Sequence, residues 1–306
     1  MAIETPWGEL AVSDAHVHFF SHKFFQLLTG REPAEVAEQL GWEAPLPDPE
    51  ALAARWVNEL KRNQITRAAL IASIPGDESS VATAVAAHPS RFHGCFMFNP
   101  IAANALERLS SAFSSGLRTV CLFPAMHSFS LASKELDSIY ETIAAQAGAV
   151  LFVHCGVLSV GIRQKLGLQS QFDMRFSNPI DLHAAALRFQ NLKFVIPHFG
   201  AGYFRETLIL AGLCPNVYLD TSSTNNWMKY EDLDLVTVFR RALNAIGPER
   251  IVFGTDSSFF PRGWHRAIFD KQVEALSTIG ISAEDANRIF NSNFETLITP
   301  SVATQG

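Results

Sequence analysis

No block of basic residues interrupts this sequence, in which 24 Lys and Arg stand against 30 Asp and Glu for a net charge of −6. A nucleic-acid or anionic-membrane partner is therefore not expected. Long apolar runs are missing too: stretches such as Ala68 to Ile74 and Ala149 to Val153 fall far short of the roughly 20 residues that span a bilayer. The first ten residues carry Glu4, Pro6 and Glu9 where an export signal would need basic residues and an apolar core. Cysteine is sparse. Cys95, Cys121, Cys155 and Cys214 are widely spaced in or beside apolar runs, which suits buried thiols rather than a disulfide framework or a zinc finger. No internal repeat or low-complexity segment is present, and no Gly-x-Gly-x-x-Gly follows the first apolar run. What remains is a cytoplasmic protein that handles small molecules.

Against these absences stands an alternation of short apolar runs and amphipathic stretches. Eight runs read as strands: Leu10 to His16, Ile65 to Ser73, Arg91 to Asn99, Arg118 to Pro124, Ala149 to His154, Lys193 to His198, Asn216 to Thr221 and Arg250 to Thr255. Helical patterns lie between them, among them Asp48 to Asn63 and, at the end, Ser282 to Ile298. Runs such as Val150 to Val153 are apolar without alternation, as strands buried on both faces require. Eight such units in one chain predict an α/β fold, a (β/α)8 TIM barrel forming a single domain over 1–306. Two long connections depart from the minimal barrel. Phe19 to Pro49 is an insertion after the first strand, read as a lid, an edge helix or a subunit contact, and Val157 to Asn178 follows the fifth.

The chemistry gathers at strand ends. His16 and His18 lie two apart, so on a strand they share a face in chelating geometry. In a barrel the active site lies at the carboxyl ends of the strands, where strand five offers His154, strand six His198, strand seven Asp220 and strand eight Asp256. Imidazole nitrogens with one carboxylate suit Zn²⁺, with an open position for catalysis. The expected ligands are His16, His18, His154 and Asp256 around one ion, with His198 and Asp256 as the groups that move protons. A ligand role for His198 competes with this.

These motifs are specific in combination: Asp14-Ala-His16-Val-His18, Phe152-Val-His154-Cys-Gly156, Phe194-Val-Ile-Pro-His198-Phe-Gly-Ala-Gly202, Asn216-Val-Tyr-Leu-Asp220, Arg250-Ile-Val-Phe-Gly-Thr-Asp256 and Ala286-Asn-Arg-Ile-Phe290. From about Asp14 to Leu297 the chain resembles the amidohydrolase superfamily, in its amidohydrolase-related branch with aminocarboxymuconate semialdehyde decarboxylase, γ-resorcylate decarboxylase and 2-pyrone-4,6-dicarboxylate lactonase. The resemblance implies a TIM barrel whose metal, usually zinc, is held by the first-strand histidines, the fifth-strand histidine and the eighth-strand aspartate. Binuclear members carry a bridging lysine or glutamate on strand four. Here Cys121 and Phe123 depart from that pattern, which favours a single ion.

The branch holds hydrolases and nonoxidative decarboxylases. The leading expectation is a metal-dependent hydrolase acting on a C–N or C–O bond of a small cyclic or carboxylated substrate. A zinc-dependent decarboxylase of an aromatic or enoic acid is the alternative, and a barrel that has lost catalysis the third reading. Arg163, Arg175, Arg205 and Arg262 are the candidate cations for an anionic substrate, Arg262 best placed because it closely follows Asp256. Phe19, Phe20, Trp227, Phe259 and Trp264 follow strand ends and are expected to line the pocket. A homo-oligomer is expected by family analogy.

Overall fold

The structure, a computed structural model, describes residues 1–157, 161–222 and 225–299. Parts of the 157–178 connection and the last residues of 1–306 thus lie outside the described residues. The chain opens with a two-stranded antiparallel hairpin, β1 (Ile3–Thr5) and β2 (Gly8–Leu10). Eight parallel strands follow in sequence order: β3 (Ser13–His18), β4 (Arg67–Ala72), β5 (Phe92–Phe98), β6 (Thr119–Leu122), β7 (Val150–Val153), β8 (Lys193–Ile196), β9 (Val217–Asp220) and β10 (Ile251–Val252). The ladder runs unbroken from β3 to β10. Its two edges meet through Ala15 N to Phe253 O at 2.9 Å, Asp256 N to His16 O at 3.0 Å and His18 N to Ser257 O at 2.7 Å. The sheet is a TIM barrel, and its closing seam carries two of the histidines and the aspartate singled out in the sequence.

The predicted strands recur with one shift of consequence. Leu10 belongs to the hairpin, and β3 begins at Ser13 and runs on through His18. Both imidazoles therefore sit in the strand, and alternation sends Val17 and Phe19 to the opposite face.

Inside the barrel, Ala69, Cys95, Cys121 and Val150 leave room for larger neighbours such as Ile71 and Phe152. Phe294, Leu297 and Ile298 plug this interior cluster from the closing helix Asn293–Ile298. That helix is the last part of the predicted Ser282 to Ile298 segment, which the structure interrupts with one wider turn, Arg288–Ser292. All four cysteines are buried and free. Burial holds the Cys121 thiol well above its usual range, as befits a packing residue.

The insertion after β3 folds into α1 (His22–Thr29) and α2 (Pro33–Leu40), followed by α3 (Pro49–Arg62). Local signals account for the first two. Ser21 caps α1 by accepting from Phe24 N, Pro33 starts α2, and Gly30 and Gly41 end the helices in the left-handed conformation. Phe24, Phe25, Val36 and Leu40 pack with Ile162 of the connection after β7, so two loops share one small apolar cluster above the barrel.

His93 at the base of the barrel makes a pH prediction. Its Nε2 pairs with Thr119 Oγ1 at 2.8 Å, and burial, then the charges of Arg67 and Arg118, pull it down to about 3. An ordinary histidine in the unfolded chain binds a proton below about 6.5, while the folded site still refuses it. Stability contributed by neutral His93 is therefore full above pH 6.5 and is lost as pH falls toward 3. At pH 5 this gap is worth about 2 kcal/mol. His93→Gln is expected to remove most of that acid sensitivity, read as the difference between urea midpoints at pH 7.5 and pH 5. An unchanged difference would refute it.

Candidate functional site

β3 presents His16 and His18 to the upper interior because residues two apart on a strand share a face. His16 is fully buried, with its Nδ1 2.6 Å from Asp220 Oδ2 and 2.9 Å from Ser222 Oγ. Against a carboxylate, Nδ1 must carry the hydrogen. His198 donates from Nδ1 to the Ser222 carbonyl at 2.8 Å. His18 Nδ1 lies 2.7 Å from Ser73 Oγ, whose own hydrogen goes to the Ile71 carbonyl, so this histidine too is the donor. In all three imidazoles Nδ1 is thus committed as a donor, which leaves Nε2 as the nitrogen that a cation would take once it is deprotonated.

Those nitrogens face a common centre. One ligand atom each from His16, His154 and His198 lie within 4.8 Å of one another, and so do those of His16, His18 and Asp256. His18 Nε2 is 2.9 Å and His16 Nε2 3.9 Å from Asp256 Oδ1. His154 stacks on Phe123 at 3.8 Å. Its two ring nitrogens and His16 Nε2 are buried with no protein partner. An unpartnered buried polar atom costs about 1–3 kcal/mol, and imidazoles pre-set by outer partners are how proteins hold metal ions. The donor set fits a divalent cation.

The surrounding carboxylates favour a proton on His16, which a bound cation would have to displace. Burial pulls the His16 pKa down, but the charges of Asp220, Asp256 and Asp14 overcome it and hold the group at about 9. Burial pushes Asp256 up, and the surrounding histidines bring it down to about 2, so it is ionised. Desolvation and the neighbouring imidazoles keep His154 well below its ordinary value, and burial lowers His198.

Backbone conformation helps to place these groups. Asp256 has φ +59°, and His198 and Phe199 have φ +57° and +53°. Such left-handed residues cost on the order of 1–3 kcal/mol when not glycine and cluster at functional sites. Asp14 ties the seam together: its carboxylate accepts from His16 N, Thr255 N, Thr255 Oγ1 and Trp264 Nε1.

A cavity of about 380 Å³ opens beside the histidines, at the lower end of the range for small-molecule sites. Phe20, Phe24, Leu28 and Trp42 come from the insertion, Met97 comes from β5, and Phe123 and Met126 come from the segment that follows β6. His127, Gln171, Phe172, Arg163 and Lys165 complete it near the connection after β7. Arg163, one of the candidate cations, is thus part of the cavity lining.

Four other expected pocket residues are elsewhere. Phe19 points outward into the packing between barrel and helices, and Phe20 faces the cavity in its place. Trp264 is buried because its indole nitrogen serves Asp14 at 2.8 Å. Trp227 packs on Phe204 in the core. Arg262 is exposed; its guanidinium lies 4.4 Å from the Phe259 ring centre and donates to Asp256 O and Ser258 Oγ. Of the remaining arginines, Arg175 pairs with Asp173 and Arg205 with Glu206 at the surface. Asp220 and Ser73 have roles that sequence reasoning did not assign. Asp220 was visible as the acid ending strand seven, but Ser73 carries no signal beyond its strand-end position.

A family model described as amidohydrolase matches residues 13–297. Solved structures sharing the fold include an uncharacterised TIM-barrel protein from Bordetella bronchiseptica, with TM-score 0.65 and 19% identity, covering 94% of this chain and 98% of that one. A candidate 2-pyrone-4,6-dicarboxylic acid hydrolase from Pseudomonas putida gives TM-score 0.60, 19% identity and coverage of 94% and 97%. A zinc-bound amidohydrolase from Burkholderia multivorans gives 0.62, 14%, and 94% and 99%. Among curated sequences, protein fluG of Emericella nidulans is 31% identical over 85 residues, which is 28% of this chain and 10% of that much longer protein. Among the described residues, no helix is long and apolar enough to cross a membrane. With a match that runs from the start of β3 to the closing helix and takes in every histidine of the cluster, the chain belongs to the amidohydrolase family.

Proposed function

We propose that this protein is a metal-dependent hydrolase that breaks a C–N or C–O bond of a small cyclic or carboxylated substrate. The observation that carries the reading is the convergence of three histidines, each with Nδ1 committed to an outer partner, on an ionised Asp256 beside the partnerless nitrogens of His16 and His154. His16, His18, His154 and Asp256 would hold one zinc ion, with His198 next to it. What zinc supplies there, when bound, is Lewis acidity: it acidifies water and polarises a carbonyl.

The protein's own groups do the rest. His198, whose Nδ1 hydrogen is committed to Ser222 O, offers an unprotonated Nε2 to the attacking water. Asp256, held ionised, offers a second acceptor for the same proton. Asp220 accepts from His16 Nδ1 and so turns its Nε2 toward the centre. Phe123, Met97 and Phe20 exclude bulk water from the cavity side, which strengthens each of these polar interactions.

The test combines elemental analysis with a screen of lactones, amides and aromatic acids run in ¹⁸O-labelled water. Stoichiometric metal and label in the product are expected. Release of carbon dioxide with no label incorporated would overturn hydrolysis and select the decarboxylase reading.

A further inference from the structure

The cavity wall contributed by the insertion is a stack of rings. Phe24 lies on Phe20 at 4.3 Å and 8°, Phe20 faces Trp42 at 5.9 Å and 14°, and Trp42 lies on Phe259 at 4.0 Å and 6°. Four rings from three segments thus stand nearly parallel. Offset stacking is one of the two geometries that aromatic pairs favour, so what sets this stack apart is where it stands. Here the stack borders open space, and all four of its rings line the cavity.

The charge on this cavity is one-sided. Among its described lining residues the only carboxylate is Asp256, which belongs to the histidine cluster. Two cations, Arg163 and Lys165, sit on the short helix Gly161–Lys165. Neither is paired with a carboxylate among the described residues. Arg163 Nε donates to the Gln169 carbonyl, and Lys165 Nζ lies 5.9 Å from the Trp42 ring centre. His127, also in the wall, is held neutral by burial, which lowers it to about 4. Arg262 is not available, since it caps Phe259 and holds the backbone of Asp256.

We propose that the substrate is a planar aromatic compound with an anionic group at the end remote from the bond that breaks. Its ring lies along the Phe20, Trp42 and Phe259 face, and its anion meets Arg163 and Lys165. This rests on reading the cavity as the substrate site. It differs from a carboxylate held at the histidine cluster, because here the charged group recognises and does not react.

The test is calorimetric titration of the metal-loaded protein with three probes: 3-phenylpropanoate, 3-cyclohexylpropanoate and 3-phenylpropan-1-ol. The phenyl acid is expected to bind about threefold or more tighter than its saturated analogue and about tenfold tighter than the alcohol. The double variant R163A/K165A should bring the acid down to the alcohol's affinity while leaving the alcohol unchanged. Trp42→Leu should erase the preference for the phenyl ring, and Trp42→Phe should keep it. An acid that keeps its advantage in R163A/K165A would place the carboxylate elsewhere and overturn the proposal. So would equal binding of the saturated acid, or binding by none of the three probes. Each of these outcomes leaves hydrolysis standing, since that is judged by metal content and label incorporation.

Discussion

Replacing His16 by alanine is expected to give a folded protein that retains no metal after dialysis and turns over at least on the order of 10³-fold more slowly. His16 is the one residue common to both groups of converging ligand atoms, so its loss breaks each of them. Losing an ion removes several kcal/mol of charge stabilisation, and each 1.36 kcal/mol is a factor of about ten. A milder companion separates ligand from support. Asp220→Asn keeps the shape beside His16 Nδ1 but removes the charge that fixes its tautomer. Metal affinity should fall by roughly 10–100-fold, the usual loss for an outer partner of a ligand. Stoichiometric metal in H16A, or unchanged affinity in D220N, would refute the arrangement. Metal titration monitored by calorimetry reads both.

Why some of this was legible in the sequence, and some not, follows from how each contact is made. Two-residue periodicity is local, so the spacing of His16 and His18 is enough to place them on one face. The same periodicity puts Phe20 inward and Phe19 outward, and the reading of Phe19 as a pocket residue neglected it. Closeness in sequence also drew Arg262 toward the substrate, whereas the guanidinium turns back onto Phe259 and the carbonyl of Asp256. Trp264 and Trp227 follow strand ends as expected, but position in sequence does not say which way a side chain turns. The indole of Trp264 finds Asp14 across 250 residues of chain. Asp220 and His16 are 204 residues apart, and only barrel closure makes them neighbours. The insertion was the least legible segment as a function, although Ser21, Gly30, Pro33 and Gly41 mark its helices locally. Nothing local announces that its rings stack with Phe259.

The largest effect on stability is expected from Gly156→Ala. Gly156 follows His154 and Cys155 at φ +93°, and a Cβ there would stand 2.2 Å from Gly200 O and 2.5 Å from Ala201 O. Both obstacles are backbone, and they belong to the turn that carries His198 in its own left-handed conformation. Neither a rotamer change nor a flexible side chain can relieve the collision. Left-handed strain costs about 1–2 kcal/mol in a non-glycine residue, and overpacking a tight site adds about 1–3 kcal/mol. A total near 3 kcal/mol or more follows, and part of the relief must come from pushing the His154 and His198 loops apart. The variant should therefore lose metal affinity as well as stability. Gly116→Ala is the control: it has a similar φ of +90° with nothing within 4 Å of the added carbon. It should show the strain alone and leave metal binding intact. Denaturant melts with metal titration on both variants decide the matter. If the two lose equal stability, and G156A binds metal as well as its parent, the packed turns around His154 and His198 are not what holds these two histidines in place.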